Sequence, residues 1–265
     1  MNLLQRASYP FLFAAGRRLI DQRLTAPPII IGGCGRSGTT LLLSMLSAHP
    51  HLFAFPNETN AFLEWDRPAG GGRGQPRLDK LYFHALRSRV PAGSRRFCEK
   101  TPRNVRHFDR ILDYYDERVV LIHLVRDGRD VVTSRHPTAP GHYWVTVERW
   151  VADTECGLAL RDHPRMLTLR YEDLIADHVA ALRRICDFAD EPFVPQLEHW
   201  HEHTRVRRNR AWSGPVKDVY RSSVERWQRG DHRARLEQFM AHPRAAGLLR
   251  QLDYPLEPNQ PAPAG

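Results

Sequence analysis

Near the start of the chain, Gly33-Cys34-Gly35-Arg36-Ser37-Gly38-Thr39-Thr40 follows three β-branched residues, Ile29 to Ile31, and leads into an apolar periodic segment from Leu41. A strand, a tight glycine turn and a helix in that order aim several backbone N–H groups at one point. The helix dipole adds positive potential there. Phosphate or sulfate is the natural guest. In the loops of nucleotide hydrolases, G-x-x-x-x-G-K-[ST], a lysine reaches the β/γ-phosphates and a hydroxyl holds Mg²⁺. Here Thr39 stands in the lysine position, Arg36 lies inside the turn, and Ser37, Thr39 and Thr40 supply hydroxyls. The turn reads as an oxyanion seat with no metal to bridge.

A second group of such residues is "LVRDGRDVVTSRHP". Arg126 follows an apolar run, where its planar fork can meet an anion with two parallel bonds. Ser134, eight residues on and placed on the helix that follows, can reach the same group. Two other readings stay open: Arg126 as a sheet-edge ion pair with Asp127 or Asp130, and Asp127 as an acid holding Mg²⁺ at a strand end.

The elements that must position these groups are legible as an alternation. Ile29 to Ile31 and Arg118 to Asp127 are unbroken apolar stretches of the kind that form buried parallel strands, and Met166 to Tyr171 alternates like a third. Helical patterns lie between them, at Thr40 to Ala48, Asn104 to Tyr115, Asp130 to Arg135 and Tyr143 to Leu160. Strands alternating with helices imply right-handed crossovers and a central parallel sheet flanked by helices. The expected fold is α/β, a P-loop-like three-layer arrangement whose ligands lie beyond the carboxyl ends of the strands.

Composition excludes more than it selects. The 265 residues are 42% hydrophobic and 26% charged, which is ordinary for a globular protein and unlike a disordered or fibrous one. A formal charge of +9, from 39 Lys+Arg against 30 Asp+Glu, favours anionic partners of any kind. The N-terminal apolar run, Tyr9 to Ala15, is short of the ~20 residues of a membrane span. Arg17, Arg18 and Arg23 follow it, so an amphipathic surface helix able to touch a membrane peripherally is expected there. Four widely spaced cysteines form no C-x-x-C pair and no metal pattern, pointing to a reducing, cytoplasmic setting. Arg67 to Arg77, rich in Gly and Pro, is expected to be a surface loop, and Pro255 to Gly265 a disordered tail.

"GRSGTTLL" together with "LVRDGRDVVTS" resembles the sulfotransferase family, whose members move a sulfuryl group from 3′-phosphoadenosine-5′-phosphosulfate (PAPS) to an acceptor hydroxyl or amine. The resemblance implies that Arg36, Ser37, Gly38, Thr39 and Thr40 cradle the 5′-phosphosulfate and that Arg126 and Ser134 hold the 3′-phosphate. "RSGTTLLLSMLSAHPHLFAFPNETN" is similar to the corresponding segment of tyrosylprotein sulfotransferases and their bacterial relatives, which implies Glu58 as catalytic base. "CEKTPRN" resembles the segment whose lysine stabilises the transferring group, hence Lys100, and "LRYEDL" the one whose tyrosine lies near the nucleotide, hence Tyr171. "AWSGPVKDVYRSSVERW" resembles the C-terminal cofactor-gripping loop, with Ser213 as a further catalytic candidate and Lys217 and Arg226 as cofactor ligands. Together these imply one sulfotransferase domain over residues 1–254, its cofactor core about 27–227, needing no metal and acting on a small-molecule, glycan or peptide acceptor in a bacterial cytoplasm.

His49, His51 and Glu99 are the substitutes for Glu58, with His49 more simply read as a structural residue ending a helix before Pro50. Phe53, Phe55, Phe62, Trp65, Tyr143 and Trp144 could line an acceptor pocket or a core. Two other functional classes remain in play. One is a small-molecule kinase using ATP and Mg²⁺. The other is a noncatalytic anion or nucleic-acid binder resting on the charge and on the run Arg205 to Arg210.

Overall fold

The computed structural model describes residues 3–63, 77–136, 139–206 and 221–257, without the side chains of residues 3–10, 140 and 221. Ser213, Lys217, Trp65, Trp212, most of the glycine-rich stretch, most of the arginine run and the end of the tail lie outside them.

In chain order, α1 (Leu3–Arg23) precedes β1 (Ile29–Gly32), the glycine turn, α2 (Thr39–Leu46), β2 (Leu52–Ala54) and α3 (Leu78–Arg87). Next come β3 (Arg96–Lys100), a 3-10 turn (Pro102–His107), α4 (Phe108–Tyr114), β4 (Val120–Val125) and α5 (Gly128–Val132). A hairpin, β5 (Arg135–His136) and β6 (Ala139–Tyr143), leads to α6 (Val147–Leu158). β7 (Met166–Arg170), α7 (Tyr171–Ala176), α8 (His178–Phe188) and α9 (Trp200–His203) follow, and α10 (Arg233–Ala241) and α11 (Ala245–Gln251) end the described chain.

β1, β2, β3, β4 and β7 form one sheet in the order β2-β3-β1-β4-β7, and every pairing is parallel. Buried strands with helices on both faces explain the continuous apolar runs, because successive side chains point to opposite faces and neither face meets water. Ile29 and Ile31 pack with Leu42, Leu43, Leu182 and Trp200 on one face. Ile30 packs with Phe53, Phe97, Phe108 and Leu121 on the other. A third cluster, Val131, Trp150, Phe239 and Leu249 among others, closes the end of the molecule where α5, α6, α10 and α11 meet.

The anticipated strands are all present, but three features differ from the sequence reading. The helix expected from Asp130 ends at Val132, and Arg135 begins the hairpin. The helix expected from Tyr143 starts at Val147, because Tyr143 ends β6 and Thr146 caps the helix by accepting from Arg149 N–H at 3.2 Å. β2 and β3 went unread: β2 is three residues long, and β3, "RFCEK", carries charge at both ends. That charge is neutralised inside. Arg96 bonds Glu191 at 2.9 Å, and Glu191 also accepts from Arg95 and meets His51 Nδ1 at 3.2 Å. No described helix is long and apolar enough to cross a membrane.

Candidate active site

The sheet register collects the chemical residues at one edge. Lys100 ends β3 beside Ile31 of β1, just before the glycine turn. Val125 ends β4 beside Arg170 of β7, so Arg126 and Tyr171 leave neighbouring strands at one level.

The turn is built by two glycines. Gly33 has φ +151°, and a Cβ there would lie 2.3 Å from the Leu124 carbonyl oxygen. Gly38, the residue before α2, has φ +92°, and its Cβ would meet the Tyr171 ring at 2.4 Å. Between them Arg36 adopts φ +72°, a left-handed conformation that side-chain-bearing residues hold only where the surroundings enforce it. Ser37 N–H is spent inside the turn on Cys34 O at 3.2 Å, and Leu42 N–H reaches Gly38 O. The donors without an intrahelical acceptor are those of Gly38, Thr39, Thr40 and Leu41.

Around the turn, polar atoms are buried without an acceptor among the described residues: Arg36 Nε, Ser37 Oγ and Arg126 Nε. Buried donors are ordinarily satisfied, and these three lie on the turn and just past the end of the adjacent strand β4. Burial, and then the like charges of Arg126 and Arg226, lower the Arg36 pKa.

Arg126 is held on four sides. Nη1 donates to Arg36 O at 3.1 Å, and Nη2 to Asp130 Oδ2 at 3.1 Å and to the Ser223 carbonyl. Its guanidinium carbon lies 4.5 Å from the centre of the Tyr171 ring, whose hydroxyl meets Ser223 Oγ at 2.7 Å. The ion pair with Asp130 therefore exists, and it leaves Nε buried without a partner among the described residues. Ser134 is buried, lies beyond the end of α5, and donates its hydroxyl back to Asp130 O at 2.8 Å. Asp127 caps α5 through Arg129 N–H at 2.9 Å and is closed by the Arg129 guanidinium at 2.7 Å, so it is not an open metal ligand. Arg226 is exposed, while Trp227 donates its N–H to Asp130 Oδ1.

On the other side of the turn, Lys100 is buried, 1% exposed, and its Nζ donates to Glu58 Oε1 at 2.7 Å. The resemblance had named these two residues separately; the fold makes them a pair. Glu58 is exposed, with its side chain 43% accessible. The residue after it is pinned. Thr59 donates its N–H and hydroxyl to Glu99 Oε1, which also accepts from Thr101, while Glu99 Oε2 accepts from Asn104 at 2.6 Å. Glu99 is fully buried, and burial raises its pKa despite those bonds, so it anchors the segment and cannot reach an acceptor.

Of the two histidine substitutes, His49 is buried and His51 is half-buried. His49 has Nε2 on Pro192 O and Nδ1 accepting from His51 N–H, and His51 faces Glu191. Phe53, Phe55 and Phe62 belong to the core, leaving Trp144 as the exposed aromatic near the turn, 5.9 Å from Arg36. Arg205, though exposed, donates to the Ser47, His49 and Leu52 carbonyls. Sequence reasoning named Asp130, at i+4 from Arg126, as a possible partner but missed Ser223, whose carbonyl also holds the guanidinium.

Such a fold is α/β and P-loop-like, a central parallel sheet flanked by helices. The model of the sulfotransferase family matches residues 27–79 and 73–195, and the chain belongs to that family. It is 27% identical to protein-tyrosine sulfotransferase A of Caenorhabditis elegans over 228 residues, 76% of this chain and 57% of the relative. A Drosophila melanogaster protein-tyrosine sulfotransferase is 26% identical over 80% of this chain and 47% of its own length. The chain thus spans about half the length of these curated relatives. Among solved structures, the sulfotransferase domain of the Synechococcus PCC 7002 olefin synthase superposes with a TM-score of 0.61 at 22% identity, covering 87% of this chain and 96% of that one. A mouse sulfotransferase complexed with PAP gives 0.52 at 16%, covering 90% and 94%.

Proposed function

We propose that the protein transfers a sulfuryl group from PAPS to a hydroxyl of an acceptor, with Glu58 as base. The observation that carries this is the set of orphaned donors at one sheet edge, Arg36 Nε, Ser37 Oγ and Arg126 Nε. They fit a ligand bearing two separate oxyanion groups, one at the glycine turn and one at Arg126. Bound there, PAPS supplies an activated sulfuryl group whose transfer leaves adenosine 3′,5′-bisphosphate (PAP).

In this reading Arg36, Ser37 Oγ and the N–H groups of Gly38, Thr39 and Thr40 hold the phosphosulfate end, a preformed cradle for charge that shifts during in-line transfer. Arg126, with Ser134, Lys217 and Arg226, holds the 3′-phosphate, and Tyr171 keeps Arg126 in plane. Lys100 balances charge on the transferring oxygens. Glu58 Oε2, the oxygen that Lys100 does not bond, takes the acceptor proton as the acceptor oxygen bonds sulfur. Ser213 is retained as a second donor to that group. Glu99 sets Glu58 by fixing Thr59. The acceptor is a small metabolite, glycan or peptide alcohol. Closure of Asp127 by Arg129 opposes the Mg²⁺-dependent kinase reading.

The test is thermal stabilisation by PAP against AMP and ATP/Mg²⁺, since a ligand of the native state raises the melting point by mass action. Selective stabilisation by PAP is expected; an equal response to AMP, or none to PAP, refutes the assignment.

A further inference from the structure

Two residues that no motif marks reach the glycine turn from α6. Arg149 lies in its first turn and Asp153 one turn later, on the same face. Asp153 is fully buried; Oδ2 accepts from Arg149 Nε at 3.4 Å, and Oδ1 from Arg106 Nε. One carboxylate between two guanidiniums leaves the group a net positive charge. Because Asp153 grips Nε, the outer nitrogens of Arg149 are free to face the turn. Nη2 lies 3.3 Å from where a Cβ of Gly35 would stand, with Trp144 Nε1 at 3.7 Å from the same point. Among the described residues no acceptor meets Arg149 Nη1 or Nη2.

A second observation at the turn points to a ligand. Ser37, 1% exposed, holds its Oγ without an acceptor, and so does the buried Nε of Arg36. Arg149 Nη2 thus stands against position 35, next in the turn to the unpartnered donors of positions 36 and 37. The topology gives the side. Arg106 sits in the 3-10 turn that follows β3, the strand ending in Lys100, whereas Arg126 and Tyr171 leave β4 and β7 beyond β1. Lys100 is already neutralised by Glu58, so the uncompensated charge on this side comes from Arg36 and from the Arg106–Asp153–Arg149 group.

We propose that Arg149, held by Asp153, is a further oxyanion-contacting residue of the site, donating to the sulfuryl end of PAPS and not to its 3′-phosphate. The proposal rests on the sulfotransferase reading above. Its consequence is discrimination between PAPS and PAP, which differ only by the group that Arg149 would contact.

The experiment is calorimetric titration of the full chain with PAPS and with PAP, for wild type, Arg149→Ala and Arg149→Lys. Arg149→Ala should weaken PAPS about tenfold or more, the usual loss for a charge-assisted bond, while PAP changes by less than about threefold. Arg149→Lys should fall between, since an ammonium keeps the charge but loses the planar fork. Arg126→Lys should weaken both ligands together. Unchanged PAPS affinity in Arg149→Ala, or equal loss for both ligands, overturns the proposal. Should that variant fail to fold, Arg149→Lys is judged by the same ratio. Wild type that does not bind PAP overturns the sulfotransferase reading itself, whereas wild type that binds it normally beside an indifferent Arg149→Ala overturns only the role of Arg149.

Discussion

Gly38→Ala tests whether the glycine turn and Tyr171 are one mechanical unit. At φ +92° a residue bearing Cβ pays about 1–2 kcal/mol against its preferred conformations. The new methyl would also stand 2.4 and 2.6 Å from Tyr171 Cδ2 and Cε2, well inside contact distance, and forced overpacking of this kind costs about 1–3 kcal/mol. The summed destabilisation is about 2–5 kcal/mol. Relief by swinging the Tyr171 ring would break its hydroxyl contact with Ser223 and unstack Arg126. Urea unfolding at unchanged slope measures the loss. A cycle with Tyr171→Ala separates the two contributions: removing the ring abolishes the overlap but not the strained φ, so the double variant should be more stable than additivity predicts by about 1–3 kcal/mol. Gly247→Ala is the control, because nothing lies within 4 Å of its Cβ in α11, and it should gain about 0.5–1 kcal/mol. A Gly38→Ala protein within about 0.5 kcal/mol of wild type, or a strictly additive cycle, would refute the argument.

Glu58→Gln should lower turnover with a surrogate phenol acceptor by about 10²–10⁴-fold while PAP affinity, read by titration, stays within a few-fold; near-full activity removes Glu58 as base. The buried Glu99 carboxyl has a raised pKa in the fold, so its contribution to stability is greatest below its unfolded pKa and is lost as pH rises through the folded value. Glu99→Gln should therefore gain on wild type between acidic and neutral pH, measured by paired urea titrations. His123, buried in β4 against Gly157, is held neutral with its pKa lowered to about 3 by burial. Its contribution is full above pH 6.5 and falls away as pH drops toward 3, so His123→Leu should flatten the acid limb of the stability profile.

Much of the fold was written in local pattern. β1, β4 and β7 are legible because strands buried on both faces must be apolar throughout, and the glycine turn because only glycine tolerates the approach of Leu124 and Tyr171. β3 was hidden because burial of its charged ends depends on partners nearly a hundred residues away, Arg96 on Glu191, or forty away, Lys100 on Glu58. Short β2 lacked the length for any periodicity to register.

By itself, the sequence determined the chemical inventory: an oxyanion turn without its lysine, an arginine after a buried strand, and a set of motifs shared with the sulfotransferase family. Only the tertiary structure decided which of those groups act together. It joined Glu58 to Lys100, turned Glu99 and His49 from possible bases into buried anchors, and brought Arg149 to Gly35. The reason is that turn chemistry and strand burial are encoded within a few neighbouring residues. The pairing of charges depends on parallel register and helix placement, which bring together side chains that no local pattern relates.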